Sequence, residues 1–289
     1  MFRALKAQFL VLAHHTPFWI SAISLFSYSV FAFYVELFTY KGVELSTIPD
    51  ANALFLLLHN SRFYPFYATL ASLLLVLPFS TSYVTENKRG AIWPVINRLG
   101  RKNYFLSKTI VCYIATFSVF FGSLLINLFL WNIAFPHNCN VLFGEYNMPN
   151  YFRTLLGTNL LYRSVMPEHP FLKLYIYSPL LYNVFYALLF ASLMAFLSTI
   201  VISFSYLYSK KLYVLFFPIF IFLYISQALQ FAALNNALQN GGDEFLNFNV
   251  FDYATPMATT GQSIYFILCF IAITLMFIVI SHIIVVRRE

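Results

Sequence analysis

The side chains whose types could do chemistry are few, and most lie at the ends of apolar runs. Six histidines (His14, His15, His59, His137, His169, His282) are scattered, with no H-E-x-x-H pattern. The paired-histidine zinc helix of a metalloprotease is therefore absent. His137 and Cys139 are close enough in sequence to share a metal, but two loop ligands fall short of the four that a closed zinc site uses. Glu36 stands at one end of an apolar run, where a carboxylate either snorkels to the interface or meets a substrate or proton. No G-x-x-x-x-G-K-[ST] phosphate loop occurs; Gly100-Arg101-Lys102-Asn103 lacks the preceding glycine and the hydroxyl. No catalytic residue, metal or cofactor is expected on this chain, and if ATP drives it, a second polypeptide must bind the ATP and its Mg²⁺.

What remains is a concentration of charge. Residues 85–108, TENKRGAIWPVINRLGRKNYFLSK, hold Lys88, Arg89, Arg98, Arg101, Lys102 and Lys108 against one acid, Glu86, in a chain only 9% charged. Within them Ile92, Val95, Ile96 and Leu99 recur at helical spacing, which predicts a short helix with one apolar face. Such a face can lie in a partner's groove, while Arg98, Arg101 and Lys102 meet acidic residues at the rim and set register. Bilayer orientation alone accounts for the charges but not for the apolar face between them.

The elements that must position this stretch are membrane spans. The 289 residues are 61% hydrophobic and 20% aromatic, with a mean hydropathy of +0.75. Soluble domains average about 45–50% apolar and about 25% charged, so the composition predicts an all-α integral membrane protein. The net charge of +7 is explained by bases flanking apolar runs rather than by nucleic acid. Of three cysteines, Cys112 and Cys269 sit inside apolar runs and Cys139 in a loop, so no disulfide framework is expected.

Six runs meet the roughly 20 residues that a spanning helix needs: 17–38, 63–84, 104–135, 179–208, 212–231 and 262–286. Pro78 and Pro218 predict kinks within two of them. Residues 1–16 precede the first; Phe2, Leu5, Phe9 and Leu12 share a face, with Arg3, Lys6 and His14 away from it, as in an interfacial helix. One side of the membrane collects twelve bases (Arg3, Lys6, the six of the central stretch, Lys210, Lys211, Arg287, Arg288) and the other five. The positive-inside rule then places both termini in the cytoplasm of a plasma membrane. The outer segments 136–178 and 232–261 are expected to carry helices of their own, and one transmembrane domain spans 1–289. Polar residues inside the spans are neutral, among them Asn127, Asn132, Asn183, Gln227 and Gln230. Each either bonds a neighbouring helix or lines a substrate path.

With six spans, an interfacial N-terminal helix and a basic second loop, the chain resembles the membrane subunits of ABC-2 type exporters. Glu86, Gly90, Val95-Ile96, Arg101, Tyr104 and Lys108 fall where that family carries its central-loop pattern; Gly100 replaces a serine, and Pro94 adds a break. The resemblance implies a bacterial exporter half, working as a homodimer or with a related permease above two ATPase subunits. It also implies that residues 85–108 are a cytoplasmic loop holding the main coupling helix, and that Lys210-Lys211 make a smaller contact. The expected contact residues are Glu86, Arg89, Gly90, Ile92, Val95, Ile96, Arg98, Arg101, Tyr104, Lys210 and Lys211. The aromatic interior suits an amphipathic or hydrophobic cargo such as a peptide, lipid-like molecule or drug. Two other readings stand beside it: a non-transporting receptor or immunity protein that binds through residues 136–178, and a membrane enzyme.

Overall fold

Ten α-helices follow one another among the residues that the computed structural model describes, namely 1–43, 51–52, 56–59, 63–135, 174, 178–208, 215–240, 250–254 and 264–287. They are α1 (Phe2–Ala13), α2 (Thr16–Thr39), α3 (Leu56–His59), α4 (Tyr64–Leu74) and α5 (Ser82–Lys88). Then come α6 (Ile92–Leu99), α7 (Arg101–Ala134), α8 (Pro179–Leu207), α9 (Phe217–Asn240) and α10 (Ile264–Arg287). No strand occurs among the described residues. Four helices, α2, α7, α8 and the part of α10 from Leu268, are long and apolar enough to cross a membrane. The chain is membrane-embedded.

Proline starts several helices where its missing N–H costs nothing: Pro17 in α2, Pro65 in α4 and Pro179 in α8. Ser178 caps α8 by accepting from the Leu181 N–H at 3.4 Å. Pro218 falls in the first turn of α9, so it begins that helix and does not kink it. The helix then runs unbroken through Asn240, and the separate outer helix expected after residue 231 is a continuation of α9. The apolar part of α9, Ile219–Ala233, is shorter than a full span.

α7 and α8 form the centre and pack along each other, with α2 and α1 against α7 and α10 against α8. At 34 residues, α7 is about 51 Å long, well beyond the roughly 30 Å of a hydrocarbon core. A helix this long either tilts within a membrane or projects beyond it, and its N-terminal turns, from Arg101, carry part of the basic stretch.

The expected second span, 63–84, is not one helix. α4 ends at Leu74 and α5 begins at Ser82; between them the backbone turns without forming a helix around Pro78, which lacks an N–H. Irregular backbone at membrane depth survives only where protein surrounds it. Leu75, Val76, Phe79 and Ser80 are accordingly fully buried. Ser80 Oγ lies 2.9 Å from Ser198 Oγ and donates to the Ser198 carbonyl at 3.2 Å. Thr116 Oγ1 donates to Ser198 Oγ at 2.9 Å, and Cys112 Sγ sits 3.2 Å from it. This knot of small polar groups binds the break to α7 and α8.

Candidate functional site

The basic stretch is built from two turns of glycine. After α5, Gly90 takes φ +68°, and after α6, Gly100 takes φ +78°. A Cβ is strained at both angles. The Gly100 N–H donates to the Ile96 carbonyl at 2.8 Å, and its carbonyl accepts from the Tyr104 N–H at 3.0 Å. One residue thus closes α6 and opens α7.

Across that double turn sits an ion pair. Tyr104 and Lys108 are one helical turn apart on α7, so both face the same way. Glu86 on α5 accepts from Lys108 Nζ with one carboxylate oxygen and from the Tyr104 hydroxyl with the other, each at 2.5 Å. Lys108 is fully buried, while Glu86 is 17% exposed. The ammonium also stands 5.2 Å from the ring centroids of Phe79 and Tyr104, within cation–π range. An isolated buried ammonium would be very costly, and here the carboxylate and two ring faces compensate it. The arrangement is a lock that ties α5 to the first turns of α7.

An aromatic shell surrounds the lock. Tyr83, Phe105 and Tyr206 pack edge to face or tilted, with centroids 4.9 to 5.8 Å apart. Ile92, Leu12 and Val285 complete the cluster from α6, α1 and α10. His15, at the elbow between α1 and α2, packs edge-on against Phe79 at 5.9 Å. Burial pushes the His15 imidazole below its usual range, and the charge of Lys108 adds to this; the Pro78 carbonyl and Glu86 oppose it. His15 is therefore neutral near pH 7.

A cleft of about 410 Å³ opens beside the lock. Leu10, Val11, His14 and His15 line it from α1 and the elbow; Ser82, Thr85, Glu86 and Arg89 line it from α5.

The apolar face of α6 points inward, contrary to the expectation that it is offered to a partner. Ile92 is buried, and Val95 and Ile96 pack against the aromatic cluster. Trp93, Pro94, Asn97 and Arg98 are the exposed side of the helix, with Trp93 62% exposed. The signal for this was the tryptophan itself, an aromatic on the polar side of the wheel. Arg89 and Gly90 are exposed and Arg101 half-buried, so of the expected contact residues Glu86 and Tyr104 meet each other and Arg89 flanks them. Lys210 and Lys211 lie outside the described residues. The protein-facing stripe of α1 is Ala4, Gln8 and Leu12, while Phe2 and Phe9 are exposed.

Of the polar residues expected along a substrate path, Asn127 joins two helices, Asn183 joins a helix to a turn and Asn132 bonds its own helix. Asn127 is fully buried and donates to the Ser29 carbonyl of α2 at 3.0 Å. Asn183 is buried as well and donates to the Asn52 carbonyl at 2.9 Å. Asn132 bonds its own helix through the Leu128 carbonyl. The side chains of Gln227 and Gln230 lie outside the described residues, as do His137 and Cys139. Glu36 is buried near the C-terminal end of α2 and does not snorkel; burial and, after it, the Glu36 charge push the Tyr40 phenol up. Comparison with family models, curated proteins and solved structures finds no match to this chain.

Proposed function

We propose that this chain is the membrane-spanning permease subunit of an ATP-binding-cassette exporter of the ABC-2 type. In this reading it moves an amphipathic or hydrophobic cargo outward while a separate ATPase subunit binds ATP and Mg²⁺. The observation that carries the reading is the lock of Glu86 on Tyr104 and Lys108. Force applied to α6 from outside the membrane reaches α7 through Gly100 and reaches α5 through the ion pair, so the three move as one body. α7 then delivers that displacement to α8, its partner at the centre of the bundle.

The partner's groove would receive Trp93, Asn97 and Arg98, since exposed aromatic and arginine side chains dominate binding energy at such contacts. The broken α4–α5 unit serves as the second of six spans and α9 as the fifth, which puts both termini on the cytoplasmic side. A second permease chain, identical or related, completes the pathway. ATP binding shifts the bundle only if its two states contact the ATPase differently, and a stiff α5–α6–α7 corner is what makes the contact state-dependent.

The test is purification of the chain from its native membrane with its companions. The expected result is a stoichiometric subunit carrying a phosphate loop, whose ATP hydrolysis rises with cargo and which is lost from Trp93→Ala and Arg98→Glu. A chain that performs its full cycle with no nucleotide-hydrolysing subunit bound would overturn the proposal.

A further inference from the structure

The cleft between α1 and α5 has two unlike walls. On α1, Leu10 and Val11 are 58% and 40% exposed, and on α5 stand two hydroxyls, the locked carboxylate and a guanidinium. An apolar wall facing a polar one suits an amphiphile lying at the membrane interface.

Three observations define the polar end of that amphiphile. Ser82 is 2% exposed on the cleft wall, and its Oγ has no hydrogen-bond partner, so a donor is held there unused. A buried unpaired hydroxyl is costly, and a ligand oxygen would satisfy it. Thr85, by contrast, donates to the Thr81 carbonyl at 2.9 Å. Arg89 pairs with no carboxylate among the described residues, which leaves its five donors for an acceptor-only group. The one acid on the cleft, Glu86, has both oxygens engaged by Lys108 and Tyr104. Its negative charge is cancelled from behind. Of the histidines, His14 hydrogen-bonds the Leu10 carbonyl through Nδ1 at 2.9 Å, and His15 Nδ1 is buried without a partner.

We propose that this cleft binds the phosphate headgroup of an anionic phospholipid, with Arg89 and Ser82 on the phosphoryl oxygens and the glycerol–acyl portion against Leu10 and Val11. The lipid bridges α1 to α5 and so braces the lock from its open side. Its volume lies within the range of about 300–1,000 Å³ found for small-molecule sites. The inference needs only that the chain is membrane-embedded, and it stands apart from the ATPase reading.

The experiment is native mass spectrometry of the full-length protein in mild detergent, doped with phosphatidylglycerol or phosphatidylcholine. One phosphatidylglycerol is expected to be retained in preference to phosphatidylcholine. Arg89→Ala lowers that retention about tenfold, the scale of one charged hydrogen bond, and Ser82→Ala lowers it several-fold. Both variants stay folded, because Arg89 is exposed and Ser82→Ala deletes only an unpartnered hydroxyl. Lys6→Ala, an exposed base of α1 that does not line the cleft, leaves retention unchanged, and millimolar inorganic phosphate does not displace the lipid. Equal retention of both lipids, an Arg89→Ala protein that binds like the parent, an equal loss from Lys6→Ala, or displacement by inorganic phosphate would each overturn the site.

Discussion

Replacing Glu86 by Gln keeps the shape of the lock and removes its negative charge. Lys108 has no exposed surface and no other acid within bonding reach among the described residues, so its ammonium is left with a neutral amide carbonyl and the two aromatic faces that already act in the parent. Breaking a buried pair from one side costs about 3–5 kcal/mol. The converse change, Lys108→Met, should cost less, about 1–3 kcal/mol, because Glu86 is partly exposed and keeps the Tyr104 hydroxyl. The double variant removes both charges and leaves an apolar side chain among Phe79, Tyr104 and Phe105, so it should melt close to the parent. The coupling energy of the cycle should then be at least about 3 kcal/mol. Thermal melting followed by tryptophan fluorescence, at one detergent concentration and one scan rate, reads this directly. With about 2 °C per kcal/mol for a chain this size, Glu86→Gln lowers the midpoint by roughly 6–10 °C. Strictly additive single and double variants, or a Glu86→Gln midpoint within about 1 °C of the parent, would refute the lock.

Four further outcomes follow from the same geometry. Ile92→Ala should cost about 2–5 kcal/mol of stability as a buried truncation; Trp93→Ala should stay within about 0.5 kcal/mol of the parent and, under the proposed exporter function, lose at least tenfold in affinity for the proposed ATPase subunit, measured by titration of the purified components. Asn127→Ala should cost only about 0.6–1.7 kcal/mol in a melting assay, the range for hydrogen bonds between membrane helices, and under the proposed exporter function should leave export intact. For His15 the neutral form is the one favoured in the folded state, since its range is depressed. Its contribution is fully present above the ordinary histidine value of 6.5 and is lost as pH falls from there through the folded value. His15→Gln should flatten that part of the stability profile, recorded by melting at stepped pH.

Some of this was legible without coordinates. The apolar runs at 17–38, 104–135, 179–208 and 262–286 nearly coincide with α2, α7, α8 and α10, because a helix long enough for a bilayer is a property of local composition. The helix at residues 92–99 followed from its period. The run at 63–84 is equally apolar and is broken, since Pro78 permits the break and only the surrounding α7 and α8, with Ser198 at hand, make it tolerable. Lys108 read as one more base of a positive loop, and its spacing from Tyr104 was a hint that both face one side, where they meet an acid 22 and 18 residues earlier in sequence.

The amino-acid order alone therefore determined the class of solvent, the lengths of the major helices and the end of the molecule where positive charge gathers. Each of these depends on transfer of a segment between water and lipid, which nearest neighbours in sequence decide. Tertiary structure decided which side of α6 is hidden, which lysine is buried and paired, and where the apolar run at 63–84 gives way. Those outcomes depend on contacts between residues far apart in the chain, and whether a face, a charge or a broken backbone is tolerated is settled by what packs against it.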